Sequence, residues 1–460
     1  MTTIIKNTTI VTGDAHRTLL YGSAIVIEDE RISELGDSEE IEPRYPAAEI
    51  LDGRGKAVFP GLVNCHTHLL AVTDRGILED FGFPTTLAFP VTGRSMLTPD
   101  ERKVMALLAA IEAIRSGTTC LLEISSNIPE YADELAGTGL RLVLAENIND
   151  IDEEEARRGS YRFLEDKLDA GLQRSIDLIE KWHGRENNRV TCFVAPHAPE
   201  NCSPNLLRHS REIADERGLG YTIHLSQSHI EIEAVMRTRG VRPTQYLFAN
   251  GLLGPRLVAA HCRYVDASEI ALLGQTGSAV SNNAAIAARR GAAAPAKEIL
   301  DAGCNMGMGT DNMAEDMVEV MRTGLFAERV RRNDEMYPGP EDVLEWATSG
   351  GARALGMGDS IGSLEAGMKA DLFMVDVMRA HLVPTNRIVS SFVHQGQPAD
   401  ITDVMVDGRW LMRDSKIKTI DEADIVRQAE RIGHAAWSRV IEKYPDVPFP
   451  IRLPPRPLGD

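Results

Sequence analysis

The sequence predicts an α/β protein: a (β/α)8 TIM barrel with a small β-sandwich built from both ends of the chain. Three observations lead there. Eight short apolar runs alternate with longer helical patterns through the middle of the 460 residues. β-branched strand patterns occupy both ends of the chain. Polar residues, mostly histidines, recur at the C-terminal ends of the apolar runs, which in a closed parallel barrel converge on one face.

From the N-terminus, "TIIKNTTIVT", "SAIVIEDERISELG" and "AEILDGRGKAVFPG" read as strands of the small domain, assigned to residues 1–58. The barrel is assigned to residues 59–365. Its strands are "AVFPGLVNCH", "TTCLLEI", "LRLVLAEN", "VTCFVAPH", "GYTIHLS", "LVAAHC", "SAVSNN" and "CNMGMGTD". Helix signals separate them. Thr98, Pro99 and Glu101 form an N-cap, a first-turn proline and a capping box, with Gly117 as the stop; Ser203, Pro204 and Gly218 repeat the pattern. Strands return in "ADLFMVD" and in "ITDVMVDGRWLM", where Asp407-Gly408 is a hairpin turn, so residues 366–418 complete the small domain. Residues 419–460 form a helix and a Pro-rich tail. The tail "PDVPFPIRLPPRPLGD" reads as an extended arm packed on its own protein or on a neighbouring subunit, with a ligand for a polyproline-binding module as the other reading.

Composition narrows the function. A formal net charge of −19 argues against a nucleic-acid backbone or an anionic membrane as partner. No apolar run is long enough to span a bilayer, and the N-terminus lacks the basic and apolar regions of a signal peptide. The six cysteines are scattered, without a C-x-x-C pair, which fits reduced thiols and a cytoplasmic location.

The strand ends carry His66, His68, His197, His224, His261, Asn282 and Asp311. Two histidines at i and i+2 of a strand point the same way, so His66 and His68 can reach one ion. A third histidine, His224, and the carboxylate of Asp311 complete a set suited to one divalent ion: Zn²⁺, with Fe²⁺ or Mn²⁺ as alternatives. Such a set leaves a position for water. Asp311 can take that water's proton as general base, and His261 can orient it or polarise the group under attack. The histidines at 16, 183, 209, 381, 394 and 434 lie elsewhere and read as surface or satisfied core residues.

"PGLVNCHTHL", "APHAPENCS", "IHLSQS", "VAAHC" and "GTDN", in that order, resemble the amidohydrolase superfamily. Within it they are similar to the branch of atrazine/triazine chlorohydrolases and of S-adenosylhomocysteine, methylthioadenosine, guanine and cytosine deaminases. "ATSGGARALGMGDSIGSLEAGMKADLFMVD" is similar to the stretch by which that branch leaves the barrel for its β-sandwich. The resemblance implies metal ligands His66, His68, His224 and Asp311, substrate contact by His197 and catalytic assistance from His261; Gln227 and Asn282 are further candidates for substrate contact, and Gln227 also for a catalytic part. Binuclear relatives carry a lysine at the end of strand 4, where this chain has His197, so a single ion is expected. The expected activity is hydrolysis of a C–N or C–Cl bond in a small N-heterocycle by a homo-oligomer, dimer or tetramer. Hydrolysis of an exocyclic amide, urea or carbamate is the alternative, and an inactive scaffold a third.

The chain departs from the deaminase pattern at Gln227, where such relatives carry a proton-shuttling glutamate. An amide cannot relay a proton as a carboxylic acid does. Asp311 could then make both transfers, His229 or Glu231 could move in, or the leaving group could need little protonation. His229 and Glu231 otherwise read as solvated residues opening the next helix, and Arg289 and Arg290 as solvent-exposed. The segment "AVTDRGILEDFGFPTTLAFPVTGRSM" is the expected loop over the site, with Phe81, Phe83 and Phe89 giving it an apolar edge.

Overall fold

A computed structural model describes residues 2–83 and 89–458. The N-terminal strands are β1 (Thr2–Val11), β2 (Leu19–Glu28), β3 (Arg31–Asp37), β4 (Glu49–Asp52) and β5 (Lys56–Pro60). The barrel strands follow: β6 (Leu62–Thr67), β7 (Thr118–Ser125), β8 (Arg141–Ile148), β9 (Val190–Cys192), β10 (Ala195–Pro196), β11 (Tyr221–Leu225), β12 (Leu257–His261), β13 (Ala279–Asn282) and β14 (Asn305–Met308). The chain ends with β15 (Leu372–Asp376), β16 (Ile401–Val406), β17 (Arg409–Arg413) and β18 (Lys416–Ile417).

The barrel strands pair in parallel in the order β10-β8-β7-β6-β14-β13-β12-β11, with β9 on β8, and a bridge from Val194 to Tyr221 closes the ring. All eight expected runs therefore lie in the barrel, the fourth divided into β9 and β10. The first run is divided differently. β5 pairs with β1 and β15 in the small domain, and only from Leu62 does the chain enter the barrel. The change of sheet thus falls at Gly61, slightly beyond the expected boundary at residue 58. A Cβ at Gly61 would lie 2.0 Å from Thr119 Oγ1, so only glycine lets the chain pass there.

The small domain is one continuous sheet in the order β18-β17-β16-β15-β5-β1-β2-β3, with β4 on β1. It curls on itself, so Ile25 and Ile27 share a core with Leu372 and Met405. Asp407 and Gly408, at φ +48° and +71°, make the expected tight hairpin turn. The capping box of Thr98 and Glu101 and the Ser203 cap form as expected.

The helix Glu422–Lys443 packs on the helix Pro99–Arg115 and on the turn Gly93–Met96. Trp437 Nε1 donates to Thr73 O at 3.1 Å, and Phe449, Ile451 and Leu453 of the tail pack on the cluster around Trp437 and Phe89. The Pro-rich tail is thus an arm folded onto its own chain. It buttresses the segment that follows β6 beside the barrel mouth. Residues 84–88 of that segment lie outside the described residues.

Candidate metal centre and active site

Four side chains meet at the C-terminal mouth of the barrel because their strands end there: His66 in β6, His68 just beyond it, His224 in β11 and Asp311 after β14. All four are buried. The ring nitrogens of His66, His68 and His224 lie within 4.8 Å of one another, as do the ligand atoms of His66, His261 and Asp311.

Hydrogen bonds fix the rings. His68 Nδ1 faces Ile124 O, and His224 Nδ1 meets His197 O at 2.7 Å. A ring nitrogen against a carbonyl must carry its proton, so in each ring Nε2 is left with its lone pair. Those two Nε2 atoms face each other at 3.1 Å, with Asp311 Oδ1 3.5 Å from His68 Nε2 and 3.7 Å from His66 Nε2. Neither ring nitrogen of His66 has a hydrogen-bond partner, and neither does Asp311 Oδ2. Two imidazole lone pairs facing each other beside an unpartnered carboxylate oxygen in a buried space repel one another unless a cation sits between them, so these residues fit a divalent ion.

Burial holds the imidazoles neutral, the form that can ligate: His68 is pushed down to about 3, and His224 and His261 lie well below their ordinary value. Burial works against the Asp311 carboxylate, but His261, His66 and Arg290 hold it well below the usual carboxylate range. Asn312 Nδ2 donates to Asp311 Oδ1 at 2.7 Å, and Arg94 Nη1 donates to Asn312 Oδ1 at 2.9 Å. The backbone is strained where these groups are presented: His261, Cys262 and Asp311 have φ of +76°, +49° and +68°. Positive φ at non-glycine residues clusters at sites whose geometry is imposed by function.

A cavity of about 410 Å³ opens on the centre, lined among others by His68, His197, His224, Gln227, Asp311 and Arg94. Among its described lining residues Asp311 is the only carboxylate, and no lysine is present. His197 packs its ring 4.6 Å from that of His224 and is held by Asn201 Nδ2 at 2.6 Å from its Nδ1. His261 lies 3.9 Å from Asp311 Oδ2 through Nε2.

Asn282 is not placed on this cavity. It is buried on a small separate one beside Gly324 and Ala327, and its neighbour Asn283 turns inward, 3.2 Å from His261 Nδ1. Glu231 is not solvated. It is buried, and its two oxygens accept the backbone N–H groups of Ser226 and Gln227 at 2.7 Å each. That commits the carboxylate to holding the chain at Gln227. His229 is exposed, as expected, with its ring 4.1 Å from Tyr264. Arg289 pairs with Glu319 at 2.8 Å, but Arg290 is turned inward, 4.0 Å from Asp311 Oδ2 and over the ring of Phe83. Phe83 thus edges the pocket, whereas Phe81 and Phe89 pack into the cluster around Trp437.

The model of the amidohydrolase family matches residues 57–411. The chain belongs to that family. Among curated proteins it is 33% identical to the 5′-deoxyadenosine deaminase of Methanothermobacter thermautotrophicus, over 88% of this chain and 93% of that one. It is 32% identical to the 5-methylthioadenosine/S-adenosylhomocysteine deaminase of Desulforudis audaxviator, with the same coverage. Among solved structures, an adenosine deaminase from Xanthomonas campestris with bound zinc superposes with a TM-score of 0.86 at 25% identity, covering 95% of this chain and 98% of that one. An atrazine chlorohydrolase from Arthrobacter aurescens, complexed with zinc, shares the fold, with a TM-score of 0.85 at 22% identity over 94% of this chain and 99% of that one.

Proposed function

We propose that this amidohydrolase is a metal-dependent hydrolase that displaces an exocyclic group from a small N-heterocycle, breaking a C–N or C–Cl bond. The observation that carries the reading is the buried convergence of His66, His68, His224 and Asp311, in which the lone pairs of His68 and His224 Nε2 face each other and Asp311 Oδ2 has no donor. These four residues would hold one divalent ion, Zn²⁺ being the best match to three imidazoles and a carboxylate. Bound there, the ion supplies Lewis-acid polarisation and lowers the pKa of a water to about 7.

The chain's own groups do the rest. Asp311 takes the proton of the attacking water at its free Oδ2 and can return it to the leaving group. His261, held by Asn283, orients the attack from 3.9 Å away. His197 and Gln227 line the cavity where the heterocycle binds. Six buried, unbridged thiols support a reducing, cytoplasmic location, and the exposed Phe326, Val330 and Met336 support assembly with further copies of the chain. The test is product release from purified protein over a panel of amino- and chloro-substituted purines, pyrimidines, pterins and triazines. Ammonia or chloride is the expected product, and a panel without turnover removes the reading.

One observation favours a second reading, the hydrolysis of an exocyclic amide, urea or carbamate. Asp311 is the only carboxylate lining the described cavity, and Glu231 is tied to backbone amides. A leaving group that needs little protonation suits such a site. Gln227→Glu separates the two, because it restores a second acid. Ammonia release from an aminoheterocycle is expected to rise by about 10²-fold, while turnover of a carbamate or chloride substrate stays flat. An unchanged rate of ammonia release would mean that Asp311 handles both transfers unaided.

A further inference from the structure

A second cavity, of about 460 Å³, adjoins the catalytic one and shares Phe83 and Gln227 with it. Arg263 and Arg290 line it, together with Tyr264, His229, Glu79 and Asp80. Arg263 follows β12 and is only 6% exposed, yet its Nε has no partner, and among the described residues its side chain makes no hydrogen bond or ion pair. The Arg290 side chain is 11% exposed. Its Nη1 has no hydrogen-bond partner and stands 4.0 Å from Asp311 Oδ2. The Phe83 ring, 4.4 Å from the Arg290 guanidinium carbon, holds that fork in place.

A buried arginine kept for structure is paired, because an unpaired buried charge is costly. Arg141 in this chain is buried and has two carboxylates. Among the described residues Arg263 forms no ion pair and Arg290 reaches only Asp311, at 4.0 Å; Glu231 is close enough to act on Arg263 but is tied to the amides of Ser226 and Gln227, and on the proposed function Asp311 is engaged in the metal centre. Glu79 Oε1 accepts the Gly76 N–H at 3.0 Å, its Oε2 is buried without a hydrogen-bond partner, and among the described residues neither Glu79 nor Asp80 pairs with either arginine.

We propose that this second cavity is a subsite for an oxyanion on the substrate, a carboxylate or phosphate received by the forks of Arg263 and Arg290. The inference rests on the proposed function only in taking the reacting group to lie in the first cavity. The substrate is then an anionic one: a heterocycle or acyl group at the metal centre, a linker passing Gln227, and a pendant oxyanion between the arginines. Guanidinium forks match the geometry of both oxyanions, which a lone ammonium does not.

Anion binding tests this without requiring turnover. Titration calorimetry of the metal-loaded full chain with inorganic phosphate and with acetate is compared between wild type, Arg263→Met/Arg290→Met and Arg263→Lys/Arg290→Lys. At least one anion is expected to bind the wild type, about 10–100-fold more weakly the methionine variant, and with intermediate strength the lysine variant. Which anion binds better identifies carboxylate or phosphate. The lysine variant keeps both charges, so it gives the answer should the methionine variant fail to fold, and circular dichroism reports on folding. Binding of neither anion to the wild type, or binding equal in folded wild-type and methionine proteins, overturns the subsite. A failure of the substrate panel to turn over, with anion binding intact, would instead count against the proposed reaction alone.

Discussion

Asp311→Asn is expected to lower kcat by about 10²–10⁴-fold on whichever substrate the panel identifies, with the fold intact. The argument is local. Asp311 Oδ2 is the one unpartnered carboxylate oxygen facing the centre, and Oδ1 already accepts from Asn312. Asparagine keeps the size of the side chain but presents an amide, which neither ionises nor accepts a proton from water. No other carboxylate among the described cavity residues can replace it. Steady-state kinetics beside a circular-dichroism spectrum decide the matter. A folded variant with wild-type kcat would remove Asp311 from the chemistry.

Arg141→Met is expected to cost about 3–5 kcal/mol of stability while leaving kcat nearly unchanged. Arg141 opens β8 at the end of the barrel opposite the site. It is buried, donates to both oxygens of Asp371 at 2.9 and 3.0 Å, and also donates to Asp407. Those two aspartates belong to the small domain, so one guanidinium ties the barrel floor to the β-sheet. Removing it leaves two buried carboxylates, of which only Asp407 has another cation close by, Lys369 Nζ at 3.4 Å. Urea unfolding measures the loss. A midpoint equal to wild type would mean the ion pairs contribute nothing net.

The barrel and most of its mouth were legible because both rest on short-range patterns. Apolar runs set the strands, and the ends of parallel strands share one face, which brought His66, His68, His224, His261 and Asp311 together. What could not be read depends on turns after the strand ends. At His261 and Cys262 the backbone takes positive φ, so alternation stops predicting direction, and nothing local showed that Arg263 would face a cavity. The same loss of period explains Asn282 and Asn283: the strand ends at Asn282, and the residue beyond it, not the one within it, meets His261. Glu231 looked like a helix-opening surface acid, but its partners are the backbone amides of Ser226 and Gln227, which no side-chain pattern encodes. The division of the first strand at Gly61 was hidden because β5 and β6 form one apolar run although they serve two sheets.

Metal content tests the central claim most directly. Elemental analysis of the purified chain should find about one divalent ion per chain, expected to be zinc, and a folded His66→Ala variant should hold far less. A folded wild-type protein that binds no divalent ion when one is supplied, or a His66→Ala variant that retains the full complement, would contradict the account.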